Sequence, residues 1–190
     1  MTKQTNFAGI KTVTLLILLF AMVPYAMAQK YISKTGHIWF FSHTPVEDIE
    51  AHNHQAASIL NASNGEIQFS MLIKGFEFKK ALMQEHFNEN YMESDKIPKA
   101  SFKGKITNIS SIDFKKDGTY PAEVSGDLTV HGVTKPVTTK GTIEVKDGKI
   151  TAKAKFITSP KEFDIKIPSV VEKNIAKEIE VNVDVVYSPT

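Results

Sequence analysis

The C-terminal run IEVNVDVVY, residues 179–187, restricts the fold more than any other stretch. Ile179, Val181, Val183, Val185 and Tyr187 share one parity, and Glu180, Asn182 and Asp184 share the other. Neighbouring side chains of an extended strand point to opposite faces, so strict period two describes a strand with one buried and one wet face. Three other stretches behave alike. Ile67, Phe69, Met71 and Ile73 alternate with Glu66, Gln68, Ser70 and Lys74, interrupted only by Leu72. Val124, Leu128 and Val130 alternate with Ser125, Asp127 and Thr129, and Ile150, Ala152, Ala154 and Phe156 with Thr151, Lys153 and Lys155.

The dipeptides Asn64-Gly65, Asp117-Gly118, His131-Gly132 and Asp147-Gly148 fall between these runs at hairpin distances, as turns joining antiparallel neighbours do. The pattern predicts an all-β meander of about eight strands, the number at which a closed antiparallel barrel holds either its own side chains or one small ligand. Residues 79–98 break the alternation. Leu82, Met83, His86, Phe87 and Asn90 stand at helical spacing, and Pro98 stops any helix there. A short helical segment near residues 79–92, lying across a barrel mouth or along its side, is expected. No repeat, low-complexity tract or linker divides the chain, so residues 29–190 form one domain.

The N-terminus belongs to a different category. Lys3 and Lys11 precede an almost unbroken apolar run, Val13 to Val23, and Ala26-Met27-Ala28 supplies a small-residue cleavage pattern. The run is too short for the roughly 20 residues a spanning helix needs. A secretory signal over residues 1–28, cut after Ala28, is expected, with a periplasmic or secreted product that is not membrane-inserted after cleavage. Removing it takes away two lysines and no acid, which brings the formal charge from +2 to zero. A neutral chain has no gross bias toward nucleic acid. There is no cysteine, so disulfide scaffolds, thiol nucleophiles and thiolate metal sites are excluded, and core packing alone must hold the domain. Monomer and homodimer both remain open.

The hairpin GDLTVHGVTKPV, residues 126–137, admits two registers. A two-residue loop at His131-Gly132 sets Leu128 opposite Lys135. A four-residue loop, His131 to Thr134, sets Leu128 opposite Val137 and Val130 opposite Lys135. A one-residue slip moves a whole strand face, and apolar pairing favours the longer loop, with His131 at an exposed tip in a turn role rather than a catalytic one.

This hairpin, the stretch ALMQEHFNENYMESDKIPKASFKG (residues 81–104) and the aromatic start HIWFFSH together resemble the YceI-like family of bacterial secreted proteins, from about Lys30 to Tyr187. The resemblance implies an extended lipocalin-like antiparallel barrel that binds a long apolar chain, an isoprenoid or fatty-acyl lipid, without catalysis or cofactor. The side chains expected to face such an interior are Trp39, Phe41, Phe69, Met71, Ile73, Met83, Phe87, Phe102, Leu128, Val130 and Phe156, with His86 at the rim against a head group. The alternative, that these side chains simply fill the barrel, stays open.

Two histidine constellations stand apart. His52 and His54 share a strand face, and His43 from a neighbouring strand would complete a ligand set suited to zinc, copper or nickel. His86 and Glu89 are one helical turn apart, the spacing of a base and its orienting acid. No nucleophile elbow, zinc-protease helix, phosphate loop or dinucleotide fingerprint is present. A binding protein is therefore expected, with a histidine-based metal protein or hydrolase on the same barrel as the alternative.

Overall fold

The computed structural model describes residues 29–190; the expected signal segment, residues 1–28, lies outside them. The elements are β1 (Lys30–His43), β2 (Asp48–Asn61), β3 (Glu66–Leu72), β4 (Glu77–Phe78), α1 (Ala81–His86) running into a π-helical turn (Phe87–Tyr91), β5 (Lys99–Ile106), β6 (Gly118–Val130), β7 (Val133–Lys146), β8 (Lys149–Thr158) and β9 (Ile179–Pro189). The strand order β1-β9-β8-β7-β6-β5-β3-β2 closes through pairing of β2 with β1, and every pairing is antiparallel. This is the expected eight-stranded barrel. The two-residue β4 has β2 as its strand partner, beside the closed circle.

The two ends of the barrel differ. At one end, Tyr31, Leu60, Ile67, Ile106, Ile143, Ile150, Val185 and Tyr187 form a continuous buried cluster that plugs the interior. The Tyr187 hydroxyl sits inside it, 2.6 Å from Ser58 Oγ. Ser58 spends its one proton on the Gln68 carbonyl at 2.9 Å, so Tyr187 donates and Ser58 accepts. The buried tyrosine proton thus has a partner, as a hydroxyl removed from water requires.

Tight hairpins join β6 to β7 and β7 to β8. His131 and Gly132 have φ of +51° and +76°, and Asp147 and Gly148 have +50° and +73°. Positive φ at both central residues is the type I′ geometry, whose twist matches that of the flanking strands. The β6–β7 register is Val130 with Val133 and Leu128 with Lys135, so the two-residue loop holds and the four-residue loop is wrong. Turn twist outweighs apolar pairing here because Lys135 stands at the open end, where a lysine stem can cover apolar surface while its ammonium stays in water. Asp117-Gly118 is also not a hairpin turn. It ends an eleven-residue connection between β5 and β6 that includes a 3-10 turn over Ile109–Ser111.

The wall is not uniformly zipped. The β7–β8 ladder runs from Lys146/Lys149 only to Gly141/Ala154. Above that point the strands separate, and Thr139 Oγ1 donates to the Lys155 carbonyl at 2.7 Å across the gap. Pro136, which has no N–H for a ladder, lies in this half-paired stretch of β7.

Candidate functional site

Above the plug the barrel encloses a cavity of about 530 Å³, within the ~300–1,000 Å³ typical of small-molecule sites. Its walls are apolar almost throughout. Phe69, Met71, Ile73, Met83, Phe87, Phe102, Leu128, Val130 and Phe156 all line it, and His86 lines it from α1. Trp39 and Phe41 do not. Parity on β1 is the reverse of the expectation: Ile38, Phe40 and Ser42 face inward, and Trp39 and Phe41 stand on the outer face with His37 and His43. The signal was present in HIWFFSH, because two histidines share the parity of Trp39 and Phe41, and polar company marks a wet face.

Phe40 belongs to an aromatic wall of which the sequence identified only Phe87. Its ring centroid lies 5.3 Å from Phe76, 5.9 Å from Phe78 and 5.6 Å from Phe87, and Phe78 and Phe87 are 5.0 Å apart. Such edge-to-face, tilted and stacked contacts add to simple burial. Phe76 and Phe78 come from β4 and its approach, which explains why a two-residue strand outside the circle persists: it seats this wall against β2. On the far side the Phe102 ring lies over Gly104 and Gly126. A Cβ built on Gly126 would come under 3 Å from the Gly104 backbone, the Lys103 carbonyl and that ring. Gly126 is therefore what lets β5 and β6 keep Phe102 flat against the cavity.

Two segments cover the mouth. One is α1 with its π-helical turn, where the sequence placed a helical segment. The other, residues 159–178 between β8 and β9, was missed. It holds 3-10 turns over Pro160–Phe163 and Glu172–Asn174, and Phe163, Ile165, Ile167 and Ile175 reach into the cavity. Its only sequence signals are Pro160, Pro168 and a broken alternation. Polar groups gather at this end. Glu47 accepts from Lys80 Nζ at 2.9 Å and from Asn174 Nδ2 at 3.2 Å. Those bonds, Lys80 first, hold its carboxyl below the usual range against a smaller opposing effect of burial. Ser42 Oγ accepts from the Ala176 N–H at 2.8 Å, tying the 159–178 segment to β1.

His131 is not at an exposed tip. Its side chain is only 13% exposed. Nδ1 lies 3.2 Å from the Phe163 carbonyl, which can only accept, so the ring donates there. Nε2 lies 3.4 Å from Glu93 Oε2, beyond ordinary hydrogen-bond length, and has no hydrogen-bond partner among the described residues. The β6–β7 hairpin thus stands between the two covering segments and holds one of them directly.

The histidines do not assemble as expected either. His43 is bound to Asp48 at 2.6 Å at the mouth. His52 and His54 are joined instead by His37, all three offering ring nitrogens within 4.8 Å of one another on the outer face of β1 and β2. His86 and Glu89 both stand exposed on the α1 segment.

A closed antiparallel barrel with an apolar chamber, a plugged floor and a covered mouth is the architecture of a β-barrel binding protein. Residues 32–187 match the YceI-like domain, and the chain belongs to that family. Solved structures agree on the fold. A polyisoprenoid binding domain from Saccharophagus degradans, implicated in plant cell wall breakdown, superposes with a TM-score of 0.74 at 12% identity, covering 85% of this chain and 98% of that one. BcnA of Burkholderia cenocepacia gives 0.69 at 14%, covering 80% and 96%, and the YCEI protein of Campylobacter jejuni 0.58 at 14%, covering 78% and 88%. The sequence matches no curated protein.

Proposed function

We propose that the protein is an exported, non-enzymatic carrier that holds the long apolar chain of an isoprenoid or fatty-acyl lipid inside its barrel. The observation that carries this reading is the chamber of about 530 Å³ above the plug, walled mainly by phenylalanine, methionine and aliphatic side chains, with Glu47 and Lys80 at its mouth. Methionines such as Met71 and Met83 repack easily around a flexible chain. Burying about 400 Å² of lipid tail yields on the order of 10 kcal/mol at roughly 25 cal/mol/Å², before association costs of ~4–15 kcal/mol. Apolar contact therefore suffices for retention at the favourable end of that range. Glu47, Lys80 and His86 stand where a head group would meet water.

The reading includes removal of residues 1–28 and a place in the cell envelope, which N-terminal sequencing of the exported product tests; a mature chain starting at Gln29 is expected. The carrier role is tested by mass spectrometry of solvent extracts from protein exported in a bacterial host and purified without detergent. A polyprenyl or fatty-acyl species at one per chain is the expected result. An extract that is empty, and stays empty after incubation with both lipid classes, overturns it.

A further inference from the structure

On the outside of the barrel, away from the cavity, β1 and β2 bring His37, His52 and His54 together. His37 Nε2 and His52 Nδ1 are 3.0 Å apart. The His37 ring stacks on those of His54 at 4.1 Å and Trp39 at 4.4 Å between centroids. Glu50 Oε1 lies 3.3 Å from His52 Nε2, the nitrogen that faces away from His37. None of the three contributes to the buried core, so their convergence is not a by-product of core packing; the packing they have is with one another and with Trp39.

We propose that His37, His52 and His54 form a surface site for a borderline divalent transition-metal ion, zinc or copper. Three imidazoles are a ligand set these ions prefer. Metal–nitrogen bonds of about 2.0–2.1 Å in a tetrahedral site place neighbouring donors roughly 3.3 Å apart. The His37–His52 pair, at 3.0 Å, needs only a few tenths of an ångström to reach that spacing, and the half-exposed His37 and exposed His54 close the remainder by turning their rings. Of the two facing nitrogens, one carries a proton in the hydrogen-bonded state; on metal binding that ring carries its proton on its other nitrogen, so each donor offers a lone pair. With His52 bound through Nδ1, its Nε2–H is left 3.3 Å from Glu50 Oε1, within a small ring adjustment of the carboxylate–histidine–metal arrangement that orients a ligand ring.

The protein contains one tryptophan, and that residue is Trp39, stacked on a proposed ligand. Copper(II) bound at His37 quenches tryptophan emission, so the chain reports on its own site. The test is titration of protein purified without a polyhistidine tag, following Trp39 emission with copper(II) and heat with zinc(II). Saturable quenching at one equivalent, reversed by chelator and matched by zinc heat, is the expected result. His54→Gln, at an exposed position, should weaken binding at least tenfold with an unchanged melting temperature. Glu50→Gln should weaken it about tenfold, the low end for outer-shell partners, while His43→Gln should leave it intact. Quenching that never saturates, or that is the same in His54→Gln and wild type, overturns the site. So does loss of binding in His43→Gln alone. The outcome is independent of whether the barrel holds lipid.

Discussion

Tyr187 and Gly126 show how much single residues decide. Burial pushes the Tyr187 hydroxyl well above the usual tyrosine value, only partly offset by its bond to Ser58. The native state keeps this proton where an unfolded tyrosine, with a pKa of about 10, releases it. Its contribution is therefore complete below about pH 10 and is lost as pH rises further. Tyr187→Phe should cost about 1 kcal/mol at neutral pH, the net worth of one hydrogen bond. The urea midpoints of variant and wild type should then converge between pH 9 and 11, and parallel curves would refute this account. Gly126→Ala puts a methyl against backbone on the neighbouring strand as well as against the Phe102 ring, so the strands must part and Phe102 must shift. A loss of about 1–3 kcal/mol is expected, together with a smaller cavity by crystallography; a neutral substitution would show that the contact is slack.

Among the elements, the strands with strict alternation were legible because one face packs and the other is wet. Helical spacing placed α1 for the same reason. β1 was misread at Trp39 and Phe41 because both of its parities are aromatic, so hydrophobicity alone could not choose a face. The β6–β7 hairpin was misread because backbone twist, which side-chain counting ignores, set its register. The covering segment 159–178 left no periodic trace, since an irregular chain is held by scattered contacts such as Phe163, 2% exposed, and the His131 bond to its carbonyl. That bond predicts a local effect. His131→Phe should speed amide exchange in residues 159–167 about fivefold, the equivalent of about 1 kcal/mol, while exchange in β9 is unchanged. Equal acceleration in both would place the loss in global stability instead.

For the molecule as a whole, alternation announced a barrel but not whether it was hollow. That depends on how inward side chains from non-adjacent strands add up across the circle: bulky plug residues such as Tyr187 at one end, and small ones such as Gly141, Ala152 and Ala154 part-way up. Filling the space from within tests the carrier reading. Leu128→Trp should abolish co-purifying lipid with little change in melting temperature, and retained lipid would move the binding place elsewhere. Closure has a temporal consequence as well. β1 finds its two neighbours in β2, a hairpin away, and in β9, where Tyr31 pairs with Pro189 across nearly the whole described chain. A ribosome that releases the chain from its N-terminus delivers β9 after all the other strands of the barrel. Until then β1 and β8 both wait with unpaired edges, the state most exposed to wrong partners. The barrel closes only once β9 has emerged, so the span between emergence of β1 and arrival of β9 is the interval in which a chaperone would serve it.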